Sequence, residues 1–189
     1  MYNYDEIFDW YATARSREIG IMDIEKFTSF LSPGSKILDL GCGDGFPIAK
    51  HLVAQGFPLF AIDSSLKMIT KFRANFPDVP AEHIMIQDSR FFDLSFDAVI
   101  AYGVIFHLQE AEQEIVIRKV SDALAAGGRF LFTAQKDEIN GTSSMNGITF
   151  PYISLGAEKY TKILHHAGLK LIEEYYDEWE NYIYISEKA

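Results

Sequence analysis

Short apolar runs alternate along this chain with stretches whose apolar residues recur three or four positions apart. The runs are residues 36–40 (KILDL), 59–62 (LFAI), 84–86 (IMI), 96–101 (FDAVIA) and 129–134 (RFLFTA). Most of their residues are β-branched, aromatic or otherwise apolar, and Gly, Pro, Asp or Ser bound them, which predicts strands of the buried kind. Between them, residues 47–55 carry Ile48, Leu52 and Val53, and Gly56 follows as a stop. Residues 65–75 carry Leu66, Met68, Ile69 and Phe72, with Ser64 or Ser65 as N-cap and Pro77 just beyond. Residues 110–125 set Ile115, Val116, Val120 and Leu124 on one side, ahead of Gly127 and Gly128. These spacings predict helices. The strand–helix–strand alternation predicts an α/β fold, a parallel sheet covered by helices on both faces.

The two ends depart from this pattern. Residues 5–19 and 22–31 read as two helical stretches before the first strand, an N-terminal cap spanning residues 1–31. Residues 157–167 form an amphipathic helix, and residues 169–176 and 182–186 read as strands with a short connection. A connection that short requires antiparallel pairing, because a parallel crossover needs a dozen or more residues. Residues 135–156 read as one long irregular segment. Loops of that length in compact domains are functional or disordered, so the segment is either a mobile surface loop or a lid or pocket wall.

Composition narrows the class. The 189 residues, 48% hydrophobic and 23% charged, suit a single globular domain. Against 17 Lys and Arg stand 27 Asp and Glu, a formal charge of −10. That charge disfavours nucleic acid and acidic membrane surfaces as partners. The lone cysteine, Cys42, cannot form an internal disulfide, which suits a reducing compartment. The first ten residues carry acids and no apolar core of a signal peptide, and no apolar run approaches a membrane span. The expectation is a soluble cytoplasmic protein, monomeric or homodimeric.

The first strand ends in Asp39-Leu40-Gly41-Cys42-Gly43-Asp44-Gly45, and a helix follows. Glycines there permit a tight turn and close backbone approach to a ligand at the carboxyl edge of the sheet. Asp63 stands about 20 residues on, at the end of the second run, where an acid accepts ribose hydroxyls; otherwise it caps the next helix. Nicotinamide-binding domains want G-x-G-x-x-G, and the third position here is Phe46. A nicotinamide-dependent oxidoreductase therefore remains a rival with a failed fingerprint.

ILDLGCGDG (residues 37–45) resembles motif I of the class I S-adenosylmethionine-dependent methyltransferases. AIDSS (61–65), IQDS (86–89), FDAVIAYGVIFHL (96–108) and LAAGGRFLFTA (124–134) resemble further motifs of that family in the expected order. The resemblance implies a three-layer αβα sandwich around a seven-stranded Rossmann-like sheet, order 3-2-1-4-5-7-6, with strand 7 antiparallel. It implies S-adenosyl-L-methionine as cofactor and S-adenosyl-L-homocysteine as product. It assigns Asp63 with Ser64 to the ribose, Asp88 with Ser89 to the adenine end, and Met68 to the adenine face. Gly41, Gly43 and Gly45 fall along the methionine half, with Cys42 inside the same cofactor-binding turn, and Ala101 ends the fourth strand near the methyl-transfer site. Asp39 either orients the glycine turn or meets the cofactor's amino group. Cys42 has no base assigned to it and reads as small filler rather than a nucleophile.

Similar N-terminal stretches in small-molecule methyltransferases cover the cofactor. Among Tyr4, Trp10, Tyr11, Arg15 and Arg17, the resemblance favours Tyr11 and Arg17 near its carboxylate, since a guanidinium fork suits that group. The alternative is an amphipathic helix with its arginines in solvent. His107 is the candidate general base, because imidazole titrates near neutrality, with Tyr102 beside it as a second catalytic candidate. A histidine in so apolar a segment can equally be a satisfied core residue. No metal-ligand spacing occurs. Only the first ~30 residues and residues 135–156 remain to build an acceptor pocket, so the expected acceptor is a small molecule. The rival to an enzyme is a cofactor-binding protein that regulates a partner without turnover.

Overall fold

In the computed structural model, which describes residues 4–14 and 16–189, the chain folds around one seven-stranded sheet. Its elements are α1 (Tyr4–Ala14), α2 (Ile21–Thr28), β1 (Ile37–Leu40), α3 (Ile48–Ala54), β2 (Leu59–Asp63), α4 (Leu66–Asn75), β3 (Ala81–His83), β4 (Phe96–Ala101), α5 (Glu110–Ala123), β5 (Leu124–Ala134), β6 (Glu138–Met145), β7 (Ile148–Leu155), α6 (Ala157–His166), β8 (Leu169–Tyr176) and β9 (Tyr182–Lys188). The order is β3-β2-β1-β4-β5-β9-β8, with β6 and β7 paired separately. β9 is antiparallel to both β5 and β8. With the β6–β7 hairpin set aside, this is the order and the antiparallel last strand that the resemblance implied.

β1 explains the layering. All four of its residues are buried, and alternate side chains leave the sheet on opposite faces. Leu38 and Leu40 join Val99, Phe130 and Phe132 under α5 and α6. Ile37 joins Ala98, Ile100 and Leu131 under α2, α3 and α4. The chain winds outward from β1 to β3, then returns to place β4 on the other side of β1. That reversal opens a crevice at the carboxyl ends of β1 and β4, where open α/β sheets bind ligands.

Three features differ from the sequence reading. β3 is Ala81–His83, not the apolar run 84–86. An edge strand needs little apolar surface, and Met85 and Ile86 serve instead in the wall of the crevice. Residues 135–156 are not irregular but carry the β6–β7 hairpin. Asn146 and Gly147, both at positive φ, make its two-residue turn. The first helix stops at Ala14 and docks against α4. There Asp5 Oδ1 accepts the Ser65 hydroxyl and, at 3.1 Å, the Lys67 N–H. No helix among the described residues is long and apolar enough to cross a membrane.

Candidate active site

The crevice is an open cleft of about 900 Å³, including the solvent in its mouth. Of the residues singled out in the sequence, Tyr11, Asp39, Gly41, Cys42, Gly43, Asp63, Ser64, Met68, Tyr102 and His107 line it. Arg17, Asp88, Ser89 and Ala101 stand outside its lining.

The glycine turn and Asp63 form one unit. The N–H groups of Gly41 and Cys42 donate to the Ile62 carbonyl at 2.7 and 3.1 Å, pinning the turn to β2. Gly43 N–H donates to Asp63 Oδ2, and Ser65 N–H to Oδ1, both at 2.8 Å. Burial pushes the Asp63 carboxyl above its ordinary pKa, although the two amides pull the other way. Each carboxylate oxygen keeps accepting capacity beyond its one amide, so a vicinal diol can still be bound. Gly41, at φ +76°, could not carry a side chain, since its Cβ would stand 2.2 Å from Val104 Cγ2. At Gly43 a Cβ would meet only Met68 Sδ, at 4.0 Å, so the backbone there is bare toward the cleft.

Met85, Ile86 and Gln87 build the next part of the wall, and Ile84 just before them donates its N–H to the Asp63 carbonyl at 3.1 Å. The Lys119 ammonium holds this loop, donating to the carbonyls of Gln87 and Ser89 at 2.6 Å each. Asp88, which the resemblance assigned to the adenine, is exposed on the outer side of the turn, and its N–H donates to the Met85 carbonyl. Ser89 is buried in structural bonds, donating to Glu82 and accepting the Phe91 N–H. Gln87 was not foreseen. Its Nε2 donates to Glu112 Oε1 at 3.1 Å, and a carboxylate can only accept, so the amide orientation is set. Its Oε1 is then buried with no donor. A buried acceptor without a partner in a cleft wall is a place for a ligand N–H.

The opposite end is aromatic. Tyr4 and Tyr11 reach in from α1, with ring centroids 5.5 Å apart at 90°. The Tyr102 ring lines the cleft, but its hydroxyl donates to Asp177 Oδ2 at 2.6 Å and accepts from Asn181 Nδ2 at 2.9 Å. His107 is buried, with Nδ1 2.9 Å from the Pro151 carbonyl and Nε2 2.8 Å from the Tyr4 hydroxyl. Burial lowers the His107 pKa, against the raising effect of the Pro151 bond.

Arg17 pairs with Asp44 Oδ2 at 3.3 Å and lies 4.7 Å over the Phe46 ring, so it braces two lining residues from outside. Ala101 is fully buried within β4. Arg15 lies outside the described residues. Burial, then the charges of Asp63 and Asp39, hold the Cys42 thiol well above its ordinary range, the reverse of what a nucleophile needs. Asp39 is buried at the end of β1.

Comparison with known proteins bears on this arrangement. Residues 37–128 match the Methyltransferase domain family. The chain is 30% identical over 160 residues to an uncharacterized methyltransferase of Schizosaccharomyces pombe, covering 73% of this chain and 60% of that protein. It is 28% identical over 103 residues to a tRNA U34 carboxymethyltransferase of Pseudomonas savastanoi pv. phaseolicola, covering 52% of this chain and 32% of that one. The chain thus spans a third to three-fifths of these curated relatives. The crystal structure of an S-adenosylmethionine-dependent methyltransferase from Clostridium acetobutylicum has the same fold, with a TM-score of 0.77 at 15% identity and 99% of each chain covered.

Proposed function

Because the chain belongs to the class I S-adenosylmethionine-dependent methyltransferase family, we propose that it transfers a methyl group from S-adenosyl-L-methionine to a small-molecule acceptor by in-line displacement. One observation carries the reading. A buried carboxylate, Asp63, is tied to the bare backbone of Gly43, and a second stretch of the cleft lining carries an orphaned buried acceptor, Gln87 Oε1. These fit the cofactor: Asp63 for its ribose diol, Gln87 Oε1 for its exocyclic amino group, Met68 and Ile86 for its adenine faces, and the glycine turn for its amino-acid tail.

The cofactor, when bound, supplies a sulfonium methyl already activated toward displacement. The task of the protein is then placement and exclusion of water. Asp63 and Gly43 would fix one end, and Gln87 the other. Tyr4, Tyr11 and Tyr102 wall the space left for the acceptor, and α1, held by the Asp5 bonds, narrows access to it.

A small acceptor is supported by the walls themselves. Asp39, Asp44 and Asp63 line the cleft, and no Lys or Arg is among its described lining residues. Together with the −10 charge, this disfavours an anionic polymer. The Pseudomonas relative is named for tRNA, so tRNA is the contrasting acceptor to test.

Isothermal calorimetry supplies the first test. S-adenosylhomocysteine should bind at micromolar or better affinity, and NADH should not bind. Binding of NADH alone would sink the reading in favour of the oxidoreductase. Methyl transfer to small acceptors but not to tRNA is the expected second result, and methylated tRNA would replace the small-molecule acceptor.

A further inference from the structure

Two side chains of α5, about two turns apart on one stripe of the helix, grip the same residue of the cleft wall. The Glu112 carboxylate accepts the Gln87 side-chain amide, Nε2 to Oε1 at 3.1 Å, and the Lys119 ammonium donates to the Gln87 carbonyl at 2.6 Å. We propose that Glu112 is a positioning residue that sets nucleobase specificity. By holding the donor end of the Gln87 amide, it leaves the acceptor end for the exocyclic amine of an adenine and turns away a 6-oxo purine. The proposal rests on the methyl-transfer reading above.

A glutamine amide reads chemistry by the end it presents. Oε1 only accepts, Nε2 only donates, and half a turn about the last side-chain bond exchanges them. The two ends are nearly alike in shape, so a neighbour must choose between them. Glu112 makes that choice. In the flipped amide, Oε1 would face a carboxylate oxygen with no proton between them, losing a charge-assisted bond and setting two acceptors in contact. The carboxylate is itself fixed. Its other oxygen, Oε2, accepts the N–H of Gln109, the N-cap of α5, at 2.8 Å. One side chain thus closes the first turn of α5 and orients an amide on a different loop. Lys119 does separate work. It also donates to the Ser89 carbonyl at 2.6 Å and lies 5.1 Å over the Phe91 ring, so it sets where the loop stands, not which way the amide turns.

The consequence is selection for a donor. Gln87 Oε1 is buried without one. A ligand N–H satisfies it, whereas a carbonyl in the same place leaves two desolvated acceptors facing each other. Adenine and hypoxanthine differ at that point, an exocyclic amine against an oxygen, within nearly the same outline. Shape cannot separate them, but a site built to bond one polar group strongly rejects the analogue lacking it. The capping role predicts what an isosteric change does. In Glu112→Gln the Gln109 N–H still needs an acceptor, and glutamine also serves at this place in a capping box. Its carbonyl stays on Gln109, and its amino group turns to Gln87. Gln87 then meets that amino group with Oε1 and shows Nε2 to the nucleobase. A single exchanged atom in α5 reverses the pattern presented in the cleft.

Calorimetry on the full chain, with S-adenosylhomocysteine and S-inosylhomocysteine as probes, tests this. Wild type should prefer the adenosine compound by about tenfold or more, the worth of one hydrogen bond. Glu112→Gln should bring that ratio to one or below, with S-adenosylhomocysteine weakened and S-inosylhomocysteine held or gained. A merely structural role would weaken both compounds alike, so parallel losses or an unchanged ratio would overturn the proposal. Lys119→Met should weaken both by similar factors and keep the wild-type ratio. A ratio that collapses there as well would show that any disturbance of the loop suffices, and the role of Glu112 falls. Should Glu112→Gln not fold, Glu112→Ala removes the choice of orientation, and its ratio should drop toward one; the wild-type ratio there counts against the proposal. In a Gln87→Leu background, Glu112→Gln should leave the ratio where it stands, and a further change would rule out action through Gln87. If wild type does not bind S-adenosylhomocysteine at all, the underlying reading fails and takes this proposal with it. Binding without preference for the adenosine compound keeps that reading and overturns this proposal alone.

Discussion

Gly43 and Asp63, 20 residues apart, meet through a main-chain N–H to carboxylate bond of 2.8 Å. The turn after β1 and the acid after β2 are therefore held to each other before any ligand arrives. Asp63→Asn tests this coupling. An amide offers one accepting oxygen, so either Gly43 or Ser65 loses its partner, at a cost of about 1–3 kcal/mol. The melting temperature should fall, and S-adenosylhomocysteine affinity should drop tenfold or more by calorimetry. Wild-type affinity in the folded variant would remove Asp63 from the site.

Gln87→Leu should separate binding from stability. The wild-type side chain buries an acceptor without a donor, which costs about 1–3 kcal/mol in the unliganded protein. Its replacement relieves that cost but loses the Nε2 bond to Glu112, so the unliganded melting temperature should change little, while S-adenosylhomocysteine binding weakens by roughly tenfold, the worth of one hydrogen bond. An analogue with oxygen in place of the exocyclic amine should bind wild type and variant alike. If the variant keeps full affinity, Gln87 does not read the base.

Tyr102→Phe should behave oppositely. The lost hydroxyl bridges Asp177 and Asn181, so stability should fall by about 1–2 kcal/mol in thermal or denaturant melts. Methyl transfer should stay within a few fold of wild type. A hundredfold loss of kcat without loss of stability would restore Tyr102 as a catalytic group.

Docking of α1 should depend on acid. Burial raises the Asp5 pKa, but the Ser65 hydroxyl, the Lys67 amide and nearby positive charge outweigh it and leave the carboxyl below its ordinary value. A lowered pKa means that the docked state holds the proton less tightly than the undocked one. The contribution is therefore complete above the ordinary carboxylate range and is lost as pH falls through the lowered value. Hydrogen exchange of the α1 amides should quicken at that acid end. In Asp5→Ala it should quicken at pH 7, by an amount matching loss of a helix cap, about 1 kcal/mol. Equal exchange in variant and wild type at pH 7 would show that Asp5 does not hold the helix.

Much of this arrangement was legible residue by residue, where local pattern and local geometry coincide. Ile37, Leu38 and Leu40 place apolar side chains on both faces because β1 is buried on both, with Asp39 the exception toward its carboxyl end. Asp63 lies where β2 ends and the next helix is capped, so its position follows from element boundaries alone. The remainder depends on where segments meet. Gln87, not Asp88, lines the cleft because β3 ends early and the turn after it carries Gln87 into the wall, a shift that no periodicity records. The catalytic reading of Tyr102 failed to anticipate its hydroxyl's partner, Asp177, 75 residues away. Tyr4 reaches His107 across 103 residues only because α1 folds back on α4. The β6–β7 hairpin was readable and missed: Asn146-Gly147 is a strong two-residue turn signal.

The two ends of the cleft draw on different parts of the chain. The glycine turn, Asp63, Met68 and Gln87 all fall inside the contiguous stretch that matches the domain family. The opposite end is a patchwork: Tyr4 and Tyr11 come from before that stretch, His107 leans on Pro151, and Tyr102 is moored to Asp177 and Asn181 beyond it. Insertions or drift in those outlying segments can remodel one end of the cleft while leaving the other untouched. On the proposed reading, substitutions in the outlying segments should alter acceptor choice while leaving S-adenosylhomocysteine affinity unchanged.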